Sequence, residues 1–327
     1  RHGNEIFLNQ KLFRRIEAVH AARDQAGLDA EQKRVVERYH TNFVRSGAAL
    51  DAAGKKRLAE ISERQAEIGT LFAQNVLADE ANWKMVLEKD DLAGLPQSII
   101  DAAAQAAAER DLAGKYVITL SRSSVEPFLQ FSTRRDLREK AHEAWIRRGE
   151  FGGKTDNRAL ISEMIALRTE RARLMGYPTY AHFRLADTMA KTPEAVGALL
   201  RAVWEPAKKR VAEEEAMLQR QAVAEGSNAP IAPWDWRHYA ERVRKAEYDF
   251  DEAELKPFLQ LDKVIEASFY VAKRLFGLSF DEVSGLPLYN ADVRVWKVSG
   301  ADGRDVGVFV GDYFARSSKR SGAWMTG

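Results

Sequence analysis

The chain has 327 residues, 45% hydrophobic and 30% charged, with 50 basic against 48 acidic residues and a net charge of +2. That length allows a sizeable core or two domains, and the near-balance of charge leaves no field for nucleic acid or a polybasic membrane contact. There is no cysteine, which excludes a disulfide scaffold and thiolate chemistry, and no apolar run approaches the roughly 20 residues that span a bilayer.

Taken in order, the chain reads mostly as helix. Arg1 stands at the start where Met would be, so a cut or processed N-terminus is expected. Ile6, Phe7, Leu12, Phe13, Ile16 and Val19 fall at helical spacings between Asn4 and Ala26, and Gly27 stops the pattern. Asp29 with Gln32 has the spacing of a capping box for a helix through Val35, Val36, Tyr39 and Phe43. Asp51 to Val76 predicts a long amphipathic helix with Leu58, Ile61, Ile68, Leu71 and Phe72 on one side; its dense charge reads as a solvated face. Short strands are predicted at Trp83–Leu87 and Tyr116–Leu120, with an Ala-rich helix from Pro96 to Arg110 between them. Helical spacing returns over Pro127 to Phe131, Arg134 to Arg148 and Thr155 to Leu174. Thr192 and Pro193 make a good start for a helix to about Glu225. Gly226 to Pro233 is loop-like, and helices follow from Trp234 to Tyr248 and from Leu261 to Phe276, ending at Gly277.

The last stretch changes character. Val293 to Val298 alternates apolar and polar residues, Ser299 to Gly303 supplies a turn, and Val306 to Phe314 is rich in β-branched and aromatic residues. A β-hairpin is predicted, with strands near Arg294–Val298 and Val308–Tyr313. It leads into a small, polar, basic run that includes Ser321-Gly322-Ala323-Trp324.

Common catalytic motifs are absent. No phosphate loop, dinucleotide fingerprint or nucleophile elbow occurs. His142-Glu143-Ala144-Trp145-Ile146 begins like a helical zinc motif, but Ile146 occupies the place of the second histidine and cannot bind metal. None of the six histidines pairs with another at ligand spacing. Trp234-Asp235-Trp236 reads as a core anchor with Asp235 capping a helix, in preference to a ligand contact. The aromatic run Tyr177 to Phe183 reads as a loop packed under helices.

Long segments nevertheless resemble the thimet oligopeptidase family of zinc metallopeptidases, most closely its bacterial peptidyl-dipeptidase (dipeptidyl carboxypeptidase) branch. They include Ile6-Phe7-Leu8-Asn9, Leu174-Met175-Gly176-Tyr177-Pro178, Ala186 through Pro193, Pro233-Trp234-Asp235-Trp236, Leu255-Lys256-Pro257, Asp292 through Trp296, Gly311 through Arg316, and Ser321 through Met325. The resemblance implies a mainly α-helical, zincin-like oligopeptidase fold with a small β-sheet, in which two helical halves flank a channel that admits short peptides. It implies metal-assisted hydrolysis, in which zinc lowers the pKa of a bound water and a glutamate takes its proton.

Family members carry H-E-x-x-H and a further glutamate beyond the Gly-Ala-Trp segment, and this sequence stops before them. The chain therefore reads as a middle or N-terminal portion with no zinc ligands or catalytic residues of its own, inactive alone. Residues 1–230 are expected to form a helical domain on one wall of the channel, and 231–327 helices plus the hairpin leading into the zinc-binding catalytic domain. Ser321, Gly322, Ala323 and Trp324 are the expected substrate-binding residues, as an edge backbone that small residues let a peptide approach. The complete enzyme would use zinc, act on short peptides, involve neither nucleic acid nor membrane, and be a cytoplasmic monomer. The alternative is a non-catalytic helical peptide-binding or interaction module.

Overall fold

A computed structural model describes residues 2–248, 252–255, 257–314, 316, 318, 319 and 325. In chain order the elements are α1 (His2–Phe7), α2 (Gln10–Ala22), α3 (Ala30–Arg45), α4 (Ala52–Asn82), β1 (Lys84–Leu87), α5 (Gln97–Ala108), β2 (Tyr116–Thr119), α6 (Arg122–Phe131) and α7 (Arg135–Ile146). They continue with α8 (Arg158–Leu174), α9 (Tyr180–Leu185), α10 (Pro193–Ala224), α11 (Trp236–Tyr248), α12 (Glu252–Leu255), α13 (Leu261–Phe276), β3 (Ser279–Val283), β4 (Arg294–Ser299) and β5 (Asp305–Gly311). The protein is mainly α with two small antiparallel sheets, as the sequence led us to expect.

Local chemistry sets most boundaries. Asp29 accepts from the Gln32 backbone N–H at 2.8 Å while the Gln32 side chain accepts from Asp29 N–H, closing the capping box of α3. Thr192 caps α10 through the Ala195 N–H at 3.2 Å, with Pro193 in the first turn. Gly277 ends α13 at φ +70°, the left-handed conformation that glycine adopts without a Cβ clash. The single helix expected over Asn4–Ala26 is instead two: Asn9 leaves the helix and caps α2 by accepting from Leu12 N–H at 3.0 Å.

The main core gathers around the β1–β2 ribbon. Met85 faces Ile118 across the ribbon, and α5, α6 and α7 cover it with Ala103, Val125, Phe128, Leu129 and Ala141, all buried. Burial of each large side chain here contributes roughly 1.5–3 kcal/mol. The second sheet has the order β3-β4-β5, with Trp296 opposite Phe309 and Glu282 opposite Trp296. The predicted hairpin is β4–β5. Strand β3 was not foreseen; it joins because Phe280 stacks on Phe269 of α13 at 4.0 Å, and Phe269 meets Trp296 and Phe309 edge-on at 5.3 and 5.8 Å.

Candidate functional site

A cleft of about 1060 Å³ opens among the described residues, slightly above the roughly 300–1,000 Å³ of ordinary small-molecule sites. Ala102, Ala103 and Ala106 of α5 line it with small side chains, and Ser121, Ser123 and Ser124 at the start of α6 add hydroxyls. Arg122, Glu126 and Arg237 supply charge, and Tyr313, Phe314, Arg316 and Lys319, beyond β5, complete the lining.

Two salt-bridge clusters hold these walls. Glu126 of α6 takes Arg122 at 3.4 Å and Arg237 of α11 at 3.0 Å, so one carboxylate ties two elements across the cleft. Gln130 donates to Glu241 at 3.0 Å one turn further along. After β5, Asp312 accepts both terminal nitrogens of Arg316 at 2.7 and 2.6 Å, the Tyr289 hydroxyl at 3.0 Å and Lys319 at 2.8 Å. The hydrogen bonds from Arg316, then those from Lys319, hold the Asp312 carboxyl well below the usual carboxylate range. Tyr313 and Phe314, directly after Asp312, line the cleft.

The cleft's Glu126 is engaged with Arg122 and Arg237, and among the described residues no histidine lines it beside its serines. Among the described residues no three His, Asp or Glu side chains are gathered where they could share a metal ion, so these residues do not fit a zinc site.

The residues singled out in the sequence fall as follows. Ser321, Gly322, Ala323 and Trp324 lie outside the described residues; Lys319, close before them, lines the cleft. His142 lies on α7, with Ile146 exposed at its end. The Tyr177–Phe183 run, expected as a loop, turns into helix α9 at Tyr180; its Phe183 is buried, Tyr177 meets it at 5.5 Å, and Arg45 and Arg171 lie over its ring at 4.6 and 5.4 Å. Asp235 is spent differently from the expected cap. Its carboxylate accepts from Arg135 at 2.8 Å, Arg138 at 2.7 Å and the Ala232 N–H at 3.1 Å. The roles of Glu126, Arg237 and Asp312 were missed. For Asp312 a signal existed in Arg316 and Lys319, four and seven residues on.

A model of peptidase family M3 matches residues 128–327, which include α11, the second sheet and the turn beyond it. The chain belongs to peptidase family M3. It is 39% identical over 325 residues to the dipeptidyl carboxypeptidase of Escherichia coli (strain K12), covering 99% of this chain and 48% of that protein. Oligopeptidase A of the same organism is 32% identical over 305 residues, 92% of this chain and 45% of that protein. An organellar oligopeptidase A of Arabidopsis thaliana is 32% identical over 329 residues, 97% of this chain and 41% of that protein. The chain thus spans about half the length of the curated relatives it matches.

Proposed function

We propose that this M3 chain is the channel-wall portion of a zinc metallopeptidase that hydrolyses short peptides and releases C-terminal dipeptides. Similarity to dipeptidyl carboxypeptidase along 99% of the chain carries the reading. On it, residues 1–230 form one wall of the channel, 231–327 lead toward the zinc-binding catalytic domain, and the cleft at α5 and α6 receives part of the substrate. Exposed apolar residues support a larger whole: Leu199, Val203 and Trp204, at helical spacing on α10, are each more than 60% exposed, as on a face that another surface covers.

Zinc belongs to the complete enzyme, where it would supply a water made acidic enough to attack the scissile carbonyl. This chain's residues hold the peptide and exclude water; they move no proton in the reaction. The edge of β5 and the Ser321–Trp324 backbone beyond it are the proposed partners for an extended substrate, through main-chain hydrogen bonds. The complete enzyme would act as a cytoplasmic monomer; no described helix is long and apolar enough to cross a membrane.

The test is hydrolysis of a blocked tetrapeptide with zinc present. The 327-residue chain alone should release nothing, and the full-length gene product should release the C-terminal dipeptide. Turnover by the isolated chain, or single-residue release by the whole, would overturn the reading.

A further inference from the structure

Helix α13 carries more apolar surface than the described residues cover. One line of side chains faces the second sheet: Phe269 packs on Phe280, Trp296 and Phe309, and Ile265, one turn before it, is buried. A second line runs beside it, Leu261, Val264, Ser268, Val271 and Leu275, in alternating steps of three and four. At 3.6 residues per turn it lies roughly 90° around the helix from the first. Leu261, Val264, Val271 and Leu275 are 37%, 47%, 50% and 67% exposed. The charged residues stand on the remaining side, where Asp262 pairs with Arg294 at 2.7 Å, Lys263 with Glu266 at 2.9 Å, and Arg274 donates to the Tyr270 hydroxyl at 3.2 Å.

Alternating steps of three and four are the spacing of a seam that receives another helix, knobs into holes. Ser268, at its centre, is small, and its hydroxyl donates to the Ile265 carbonyl oxygen at 2.7 Å. An apolar neighbour can therefore close over the seam without stranding a polar group. Size decides between occupants. Four half-exposed aliphatic side chains offer on the order of a few hundred Å², short of the roughly 800 Å² a side of a stable complex between separate chains. A second copy would also have to repay its lost translation and rotation, which a segment of the same polypeptide does not. The relatives are long enough to hold such a segment: the match to the dipeptidyl carboxypeptidase of Escherichia coli covers 48% of that protein.

We propose that a helix from the part of the parent protein outside this chain packs lengthwise on Leu261, Val264, Val271 and Leu275, meeting them with aliphatic side chains at the same alternating steps. This rests on the reading of the chain as a portion of a longer peptidase, and adds the face on which the two portions meet. With that helix in place α13 is a covered layer, the sheet on one side and the incoming helix on the other.

The experiment is hydroxyl-radical footprinting of the full-length gene product and of the 327-residue chain, with the mass of each in solution from light scattering. Labelling of Val271 and Leu275, relative to Tyr270 on the charged side, should fall severalfold in the full-length protein. Equal labelling in the two proteins would overturn the proposal. So would a seam already protected in an isolated chain of twice its monomer mass, since a second copy then fills it. Val264→Gln combined with Val271→Gln should lower the melting temperature of the full-length protein and leave that of the isolated chain unchanged, because Gln suits an exposed helix position. Loss of folding in the full-length variant alone is the extreme of that result. An equal drop in both would mean that the valines pack within the chain, and the proposal fails. Hydrolysis of the blocked tetrapeptide by the same full-length preparation tests the peptidase reading separately: a protected seam without dipeptide release keeps the contact and rejects only that reading.

Discussion

The guanidinium of Arg138 and the carboxylate of Asp235 lie 2.7 Å apart with both side chains only 2% exposed. Arg138 spends its other nitrogens on the carbonyls of Ser132 and Trp234, at 2.7 and 3.3 Å. Arg135 closes the other side of the carboxylate. Burial alone would raise the Asp235 pKa, but the hydrogen bonds from Arg135 and Arg138 outweigh it and hold the group ionised. The pair rivets α7 to the start of α11, two residues before Arg237.

Removing one partner should be far worse than the pair is good, because an uncompensated charge is left buried. Asp235→Ala is expected to cost roughly 3–5 kcal/mol of stability. Urea denaturation measures it. A loss below about 1 kcal/mol, the range of an exposed pair, would mean that the buried pair is not the rivet argued here.

His238, three residues on, gives the protein an acid-sensitive point. It is buried, and its Nδ1 lies 3.2 Å from the Gln130 carbonyl oxygen. A carbonyl only accepts, so Nδ1 carries the proton of the neutral ring. Burial first, then the charges of Arg138 and Arg242, push the pKa from 6.5 down to about 4. The unfolded chain therefore binds a proton between these values that the folded chain refuses. Stability from this group is full above pH 6.5 and is lost as pH falls toward 4, by up to roughly 3 kcal/mol. Melting temperatures across that range should fall less steeply in His238→Gln, which keeps a hydrogen-bond donor and does not titrate. Parallel slopes in parent and variant would refute the assignment.

What sequence reading could see here was what repeats locally. The β4–β5 hairpin showed in strict alternation, and the Asp29 and Thr192 caps in short spacings. Strand β3 did not show, because Ser-Phe-Asp-Glu-Val carries little period-2 signal and depends on Phe280 meeting Phe269, eleven residues earlier. The start of α6 was placed at Pro127, a residue that favours first turns, whereas the helix begins at Arg122 and carries the proline inside it. The rivet was illegible for a stronger reason. Asp235 before a helix looks like a cap, and its actual partners are 97 and 100 residues away in sequence. The cleft shares that difficulty, since its walls come from α4, α5, β2, α6, α11 and the turn after β5.

Gly94 tests how tightly the loop before α5 is seated on the end of α6. It sits at φ +86°, and a Cβ there would lie 2.5 Å from the Phe131 carbonyl oxygen and 2.8 Å from Thr133 Cγ2. Gly226 has nearly the same backbone, φ +87°, with nothing within 4 Å of the place a Cβ would take. Gly226→Ala should therefore cost only the left-handed backbone term, about 1 kcal/mol, and Gly94→Ala about 2 kcal/mol or more. Chemical denaturation of the two variants side by side checks this. Equal losses would show that the loop yields to the added methyl.

The last prediction concerns the edge proposed to pair with peptide in the complete enzyme. Asp312 anchors the turn that follows β5, and Gly322 and Ala323 lie ten and eleven residues beyond it in sequence. If an extended peptide pairs with that backbone, its approach is limited by what stands at position 322, where glycine leaves the most room. Gly322→Val adds bulk at that point without removing a core side chain. Each main-chain hydrogen bond lost to substrate costs on the order of 1 kcal/mol, so kcat/KM for a short peptide should fall roughly tenfold or more. Steady-state kinetics of the full-length variant, with thermal melting as control, give the answer. Unchanged kinetics at an unchanged melting temperature would mean that the Ser321–Trp324 backbone does not pair with substrate.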